Sequence, residues 1–243
     1  MSYMSFIRKL LNKLTGKAPF CSAVIAAAGS SRRMEGEDKL FIDVFGIPVI
    51  VHTLIAFQKC GKVDEIVIVA RDEKIERVSK LCLQYNITKA TKIMAGGPTR
   101  LESVMNGVLA VSNKAQIVAI HDGARPCVSM GIIDTTIAAA IKYHAAAPAV
   151  PVISTLKHVK KGMIVSTVDR ECIYEIQTPQ VFTVEIIKAA LTKALDKSLT
   201  VTDDCMAAEL MGVPARVTEG SRNNIKLTTR EDVLVAEAIL REA

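Results

Sequence analysis

The segment that follows the first apolar run of the chain combines small residues with cations. It reads AVIAAAGSSRRMEGEDK over residues 23–39. Small residues at 26–30 let backbone N–H groups approach a ligand closely, and Arg32, Arg33 and Lys39 add positive charge. The segment matches neither G-x-G-x-x-G nor a Walker loop, so it is no dinucleotide or P-loop signature. It favours a polyphosphate-binding loop, and the alternative is a buried strand followed by a solvated basic loop.

A second candidate phosphate contact lies in AGGPTRLESV, residues 95–104. Gly96 and Gly97 again allow a ligand to approach the backbone, and Arg100 and Ser103 lie on adjacent turns of a predicted helix. The alternative interpretation is an ordinary turn and a helix start.

A third candidate lies in HDGARP, residues 121–126, where Asp122 follows an apolar run. A carboxylate at the carboxyl end of a central strand can serve a metal or a substrate hydroxyl. Mg²⁺ typically takes one or two carboxylates together with substrate phosphates. Arg125 could pair with a phosphate or with an acid, and the alternative is an Asx-type turn that Arg125 closes.

Each of these segments follows a pattern typical of a buried strand, and helical patterns separate the strands. Strands are predicted over 23–28, 64–70, 91–95, 115–120, 147–153 and 215–220. Helices are predicted over 48–60, 72–84, 100–111, from Ser129 to about Tyr143, and over 183–195, 203–211 and 230–240. This alternation predicts an α/β fold, a mostly parallel sheet flanked by helices on both faces. Because ligands bind at the carboxyl ends of such strands, the loops after Ala28, Ala95 and Ile120 should share one edge.

Residues 154–182 interrupt the alternation with a β-rich excursion. A Lys-Lys-Gly turn at 160–162 divides the excursion. Further along, Thr228 and Glu231 have the spacing of a capping box and should open the last helix.

Charge and composition restrict the class of protein. Half of the 243 residues are hydrophobic and 4% are aromatic, so the core is large and aliphatic. The net charge is +6, but four of the 31 basic residues and none of the 25 acidic ones lie in the first twenty positions. The rest is nearly neutral, which argues against nucleic-acid binding. Charged residues interrupt every long apolar run, so no stable membrane insertion is expected.

The first twenty residues stand apart from the domain predicted over 21–243. FIRKLLNKL puts Ile7, Leu10, Leu11 and Leu14 on one helical face and cations on the other. Residues 1–20 are therefore an amphipathic extension. It is a docked accessory helix, a mobile or surface-bound tail, or an organelle-targeting segment.

Six cysteines are spread through apolar segments without a C-x-x-C pair, which disfavours zinc. They are Cys21, Cys60, Cys82, Cys127, Cys172 and Cys205. We interpret them as reduced core thiols in a reducing compartment, which predicts a cytoplasmic protein.

An ordered set of short motifs carries a resemblance to a known family. The motifs are AAAGSSRRM, GGPTRLESV, HDGARP, TVDR, QTPQVF, TDD and NNIKLTT, with Lys39 between the first two. Together they resemble the 2-C-methyl-D-erythritol 4-phosphate cytidylyltransferases of the non-mevalonate isoprenoid pathway, over about residues 21–243. The resemblance implies transfer of CMP from CTP to a sugar-alcohol phosphate, with release of pyrophosphate and with Mg²⁺. It also implies a Rossmann-like nucleotidyltransferase fold, with a projecting β-arm over about 154–182 that builds a homodimer.

The resemblance also implies roles for individual residues. Arg33 and Lys39 match residues that stabilise the transition state, and Arg170 and Lys226 match the pair that positions the substrate phosphate, with Arg170 entering the neighbour's site. The CTP pocket is matched by Ala27, Ala28, Gly29, Gly97, Arg100 and Ser103. Asp122 matches the acid near the metal and the substrate hydroxyls. Further substrate contacts are expected at Arg125, Thr155 and Thr178.

Two rivals to this assignment remain. A related enzyme that uses ribitol 5-phosphate would share the CTP loops and differ around the arm and Arg170. A non-catalytic binding protein would use the basic extension instead, although intact Arg33 and Lys39 argue against it. Pro98 stands where some members of the family carry an acid, so a base contact there must come from its carbonyl.

Overall fold

The computed structural model of the chain describes residues 18–29 and 38–242. The predicted amphipathic helix and the cations Arg32 and Arg33 lie outside these residues. In the described part of the chain, no helix is both long enough and apolar enough to cross a bilayer.

The described residues form twelve strands. They are β1 (Cys21–Ala27), β2 (Asp43–Val44), β3 (Ile47–Pro48), β4 (Glu65–Ala70), β5 (Ala90–Ala95), β6 (Ile117–Asp122), β7 (Ala145–Pro151), β8 (Lys157–Lys160), β9 (Met163–Thr167), β10 (Tyr174–Ile176), β11 (Gln180–Thr183) and β12 (Arg216–Glu219).

Seven α-helices alternate with these strands. They are α1 (Val49–Lys59), α2 (Ile75–Gln84), α3 (Arg100–Ala110), α4 (Met130–Tyr143), α5 (Val184–Asp196), α6 (Asp204–Glu209) and α7 (Arg230–Arg241). Two short 3₁₀ helices, Lys39–Phe41 and Asp72–Lys74, precede β2 and α2. The side chain of Ser129 caps α4 as predicted, accepting a hydrogen bond from the backbone N–H of Ile132.

Eight strands form the central sheet, in the order β10-β7-β11-β6-β1-β4-β5, with β12 also paired to β7. The strands β5, β4, β1 and β6 are parallel, as predicted. Only β10 and β11 run against their neighbours. The carboxyl ends of β1, β5 and β6 therefore lie along one edge, which confirms the shared edge predicted for the three candidate segments.

Side chains that alternate along each strand bury the two faces of the sheet separately. Ala23 and Ile25 of β1 pack into one cluster with α1, α2, α4 and α7, whereas Val24 packs into a second cluster with α3, α5 and α6. All of these β1 side chains are fully buried. Successive residues of β1 face opposite sides of the sheet, and both sides are apolar. The sequence of this strand is therefore a continuous apolar run.

The β-arm is shorter than the excursion predicted over 154–182. Within this excursion only β8 and β9 form a separate two-stranded hairpin, which turns at Lys161 and Gly162. β10 and β11 return to the central sheet as neighbours of β7. These two strands belong to the domain. The sequence placed them in the excursion because antiparallel strands interrupt the helix–strand alternation.

Two smaller predictions need correction. The capping box of α7 is formed by Thr229 and Asp232, one residue after the predicted pair. Cys172 is exposed, so it is not a core thiol, whereas four of the six free cysteines are buried.

We expect a side chain at Gly107 to destabilise the fold, because α3 crosses β1 and β4 at this glycine. A Cβ there would lie 2.5 Å from Val24 Cγ1 and 2.8 Å from Val69 Cγ2. The Gly107→Val substitution should lower the free energy of unfolding by about 1–3 kcal/mol through overpacking. Urea titration measures the change. Gly61→Val is the control, since a Cβ at Gly61 meets no described atom within 4 Å. Equal stability of the two variants would contradict the close helix–sheet contact.

Candidate active site

The candidate site lies where β1, β4, β5 and β6 end. Backbone hydrogen bonds tie the loops that leave these strands. The N–H of Gly96 donates to the carbonyl of Ala70 at 2.8 Å, and the N–H of Gly123 donates to the carbonyl of Ala26 at 2.9 Å. The four loops thus start from fixed positions along one edge.

The Gly96–Gly97 turn lies at the carboxyl edge of the sheet and also packs against Ala28 and Ser103. A Cβ at Gly96 would lie 2.5 Å from Ala28 Cβ and 2.7 Å from Ser103 Oγ. The Ser103 hydroxyl accepts from the N–H of Gly97 at 3.0 Å and donates to the carbonyl of Thr99 at 2.8 Å. Ser103 is therefore buried as the support of this turn, which brings Ala28, Gly97 and Ser103 together.

Asp122, the last residue of β6, is the centre of a buried charge cluster. One carboxylate oxygen, Oδ2, accepts from Lys226 Nζ at 2.9 Å and lies 3.4 Å from Arg125 Nε. The other, Oδ1, lies 3.9 Å from Arg100 Nη2. Burial alone would raise the pKa of this carboxyl group, but Lys226, Arg100 and Arg125 outweigh burial and hold the pKa of Asp122 well below its ordinary value. Asp122 is thus a carboxylate at neutral pH.

Arg100 is fixed by a second carboxylate, that of Asp204. Its two terminal nitrogens donate to the two oxygens of Asp204 at 2.9 and 2.8 Å, a bidentate pair. Asp204 is 1% exposed. Burial disfavours the charged guanidinium, but the neighbouring aspartates outweigh burial and raise the pKa of Arg100. Gln180 of β11 holds this end of α6, because its Oε1 accepts from the N–H groups of Asp204 and Cys205.

The loop 221–227 brings Lys226 to Asp122. Arg125 Nη1 donates to the carbonyl of Asn224 at 2.7 Å, and the side-chain amide of Asn224 donates to the carbonyl of Thr178 at 2.9 Å. The N–H of Leu227 donates to the carbonyl of Ala124 at 2.9 Å. These bonds fix the loop against both β6 and the turn before β11.

Lys39 contacts the same loop. Its Nζ donates to the carbonyl of Leu227 at 2.9 Å, one residue from Lys226. The preceding residue, Asp38, caps the short 3₁₀ helix through the N–H of Leu40 and forms a salt bridge with Arg71 at the end of β4. These two contacts fix the backbone at Asp38 and therefore the position from which the Lys39 side chain extends.

Thr178 is buried and its hydroxyl is occupied within the protein. The hydroxyl accepts from the N–H of Asp122 at 3.2 Å and donates to Nδ1 of His121 at 3.0 Å. Nε2 of His121 lies 3.4 Å from the carbonyl of Arg125, and its ring packs on Phe57 with centroids 4.9 Å apart. The partners assign the imidazole proton to Nε2. Complete burial lowers the pKa of His121 to about 3, so the ring is neutral at pH 7.

Two other predicted residues that the structure describes are not brought into this cluster. Thr155 and Arg170 lie on the exposed segment that carries the hairpin, and Arg170 donates to the carbonyl of Ile153 in the same segment. Arg33 falls outside the described residues. Of the predicted nucleotide contacts, Ala27 ends β1 and Gly29 is exposed beside it.

Asp122 fits a magnesium ion only as a single carboxylate. Among residues 18–29 and 38–242, no three metal-ligating side chains converge. The carboxylate is ionised, and Oδ1 has no cation closer than 3.9 Å among the ion pairs of the described residues. Because Mg²⁺ usually takes one or two carboxylates plus phosphate oxygens, these residues suit an ion brought in with a triphosphate.

Sequence reasoning missed the residues that support the cluster. Asp204 lies in the TDD motif and Asn224 in NNIKLTT, so both were within recognised motifs without a role. His121 lies in HDGARP and Gln180 in QTPQVF, also without a role, and Asp38 lies in the segment 23–39, whereas Arg71 falls outside every motif. Their importance comes from contacts across long sequence separations, 104 residues for the pair of Arg100 and Asp204.

Comparison with known proteins adds an independent result. The family model for 2-C-methyl-D-erythritol 4-phosphate cytidylyltransferase matches residues 21–242. The chain is 44% identical over 222 residues to an enzyme of that name from Halalkalibacterium halodurans, covering 91% of this chain and 97% of that one. It is 42% identical over 224 residues to one from Caldanaerobacter subterraneus, covering 91% and 99%.

Solved structures agree with these sequence matches. The fold superposes with a TM-score of 0.81 on 4-diphosphocytidyl-2C-methyl-D-erythritol synthase from Anaerococcus prevotii, at 32% identity, covering 91% of this chain and 96% of that one. The cytidylyltransferase from Thermus thermophilus gives a TM-score of 0.76 at 30% identity, covering 90% and 98%.

Neutral His121 makes stability fall on acidification. Its folded pKa, about 3, lies below the ordinary value of 6.5, so the unfolded chain takes up a proton first as the pH drops. The contribution is complete above pH 6.5 and is lost towards pH 3. Between pH 6.5 and 5 we expect the free energy of unfolding to fall by about 1–2 kcal/mol, up to about 1.4 kcal/mol per pH unit.

Urea titrations at pH 7, 6 and 5 measure this slope, with His121→Gln as the matched variant. Glutamine keeps one donor and one acceptor but does not titrate, so its slope should be shallower whatever its absolute stability. A wild type that is equally stable at pH 5 and pH 7 would contradict the neutral buried imidazole.

Proposed function

This chain belongs to the 2-C-methyl-D-erythritol 4-phosphate cytidylyltransferase family, and from that premise we propose how its residues divide the work of the reaction. It is a cytidylyltransferase that transfers CMP from CTP to 2-C-methyl-D-erythritol 4-phosphate, forming 4-diphosphocytidyl-2-C-methylerythritol and releasing pyrophosphate. The similarities do not favour ribitol 5-phosphate as the acceptor.

The reaction brings one phosphate against another. The acceptor phosphate oxygen attacks the α-phosphorus of CTP, and the bond from that phosphorus to pyrophosphate breaks. Both partners are anionic, so the protein must hold them in line and offset the charge that develops. The cluster of cations around Asp122, at the carboxyl edge of the sheet, is the main support for the roles proposed below.

Lys39 and Arg33 are proposed to stabilise the transition state. The anchored backbone at Asp38 and the bond from Lys39 Nζ to Leu227 support a preorganised ammonium group beside the loop that carries Lys226. Arg33 belongs to this proposal through its match to the family motif. Neither residue needs to form a covalent bond.

CTP is proposed to lie along the edge formed by Ala27, Ala28, Gly29 and Gly97, with Arg100 and Ser103 on the adjoining helix. The small side chains leave the backbone accessible there, and Asp204 orients Arg100. A bound Mg²⁺ would be held by Asp122 together with the triphosphate and would offset phosphate charge. Thr178 supports this edge by fixing the backbone of Asp122.

The acceptor phosphate is proposed to meet Lys226 in its own chain and Arg170 of a second copy. Arg125 and Thr155 complete the proposed substrate contacts. Every residue of β8 and β9 is exposed, and the hairpin carries apolar side chains that the described residues leave uncovered, among them Met163, Ile164 and Val165. A two-stranded hairpin of this kind is poorly stabilised alone, which supports a homodimer built through the β-arm. We place the enzyme in the cytoplasm, on the prediction of reduced thiols.

Pyrophosphate release tests the activity and the role of Lys39 together. With CTP and Mg²⁺, wild-type protein should release pyrophosphate with 2-C-methyl-D-erythritol 4-phosphate and much more slowly with ribitol 5-phosphate. Lys39→Ala should lower kcat by about 10²-fold or more, because one preorganised charge is removed. Lys80→Ala is the control, since Lys80 forms an exposed i,i+4 pair on α2. A Lys39→Ala variant with normal kcat would reject its role, whereas preference for ribitol 5-phosphate would reject the acceptor.

Refolding a mixture of two inactive variants tests the shared site. Lys39→Ala and Arg170→Ala subunits are unfolded together and refolded. If Arg170 enters the partner's site, each mixed dimer has one site with both defects and one with neither. Random pairing makes half of the dimers mixed, so activity should return to about a quarter of wild type. If mass measurement confirms mixed dimers and no activity returns, Arg170 serves its own chain instead.

A further inference from the structure

A cavity of about 300 Å³ opens beside the Asp122 cluster. Its wall includes three cationic residues, Arg125, Lys226 and Arg222, and one carboxylate, Glu175. Lys226 joins the cavity to the cluster, because its Nζ lies 2.9 Å from Asp122 Oδ2. Arg222 is the one of these three cations for which the sequence motifs provide no role.

Arg222 is held at the cavity by its surroundings. The neighbouring Ser221 exchanges two hydrogen bonds with Gln177, whose Nε2 donates to its carbonyl at 2.7 Å and whose Oε1 accepts from its N–H at 3.2 Å. The guanidinium donates through Nη2 to the carbonyl of Pro151, at the end of β7, at 2.7 Å. One edge of the guanidinium is thus fixed on the backbone.

The three cations of the cavity wall outnumber its one carboxylate, so the cavity can accommodate an anion. Asp122 accepts from both Lys226 and Arg125, whereas no carboxylate in the described part of the chain lies within salt-bridge distance of Arg222. A guanidinium has five N–H donors in a planar fork, a shape that matches the oxygens of a phosphate group. The bond to Pro151 uses one donor.

We propose that Arg222 is a binding residue for the phosphate of the acceptor, acting from the same chain as Lys226. The inference rests on the proposed function, since it assigns the cavity to the sugar-alcohol phosphate rather than to CTP. Lys226 then contacts both Asp122 and the acceptor, and Arg222 supplies a further cation from the wall of the same cavity. The residue determines affinity for the acceptor and leaves the nucleotide pocket unchanged.

Kinetics of three variants test this role. Arg222→Ala should raise the KM for 2-C-methyl-D-erythritol 4-phosphate about tenfold or more, because a charge-assisted contact is lost. The KM for CTP should stay within about twofold. Arg222→Lys should recover part of the affinity, since it retains the charge. Arg216→Ala is the control: this exposed arginine on β12 stacks on Tyr143 and loses the same charge away from the cavity.

Arg222→Gln separates phosphate binding from support of the loop. Its amide retains N–H donors that can bond to the loop, but it carries no charge, so its KM for the acceptor should resemble that of Arg222→Ala. A wild-type KM in Arg222→Gln, or an equal rise in Arg216→Ala, would overturn the proposal. An unchanged acceptor KM in Arg222→Ala would do the same. Each of these outcomes leaves the cytidylyltransferase activity of the wild type intact, whereas loss of that activity with this acceptor would instead refute the proposed function.

Discussion

The ionised carboxylate of Asp122, buried at the end of β6, is the constraint on which the site depends. Removing such a group from water costs several kcal/mol unless charged partners compensate. Here the partners are Lys226, Arg100 and Arg125, which come from three separate segments of the chain. Satisfying one carboxylate therefore draws α3, the loop after β6 and the loop 221–227 to the same point of the sheet edge. The same attraction concentrates positive charge at the edge where we propose that the phosphate substrates bind.

A second set of contacts orients these cations. Asp204 holds Arg100 by a bidentate pair, the carbonyl of Asn224 holds Arg125, and the salt bridge of Asp38 with Arg71 fixes the backbone before Lys39. Long cationic side chains lose conformational entropy when they are ordered. With the supporting contacts already made in the protein, much of that cost falls on folding rather than on substrate binding, which is the basis of preorganised catalysis.

The β-arm differs from the domain in how its side chains are buried. The central sheet buries both faces under helices, whereas β8 and β9 expose all of their residues. Among the described residues, the apolar side chains of the hairpin, such as Met163 and Ile164, remain exposed, and patches of this kind are typical of interaction surfaces. Function and oligomeric state are linked in this way if Arg170, on the same segment, completes a neighbour's site.

The sequence alone determined the fold class, the positions of most elements and the edge that carries the site. Apolar runs with period two, helical spacing and caps such as Ser129 are local signals, and they operate within a few residues of chain. The sequence also identified Asp122 and Arg100 as candidates, since their motifs lie at predicted strand or helix ends, and Lys226 through the resemblance to a known family. It could not tell that β10 and β11 rejoin the sheet, because an antiparallel strand has the same local pattern inside and outside a domain. Nor could it show that Asp204 supports Arg100, or that Arg222 lines a cavity with Lys226. Those relations depend on long-range packing, which brings charges together across about a hundred residues, and only the tertiary structure decides which carboxylate each cation meets.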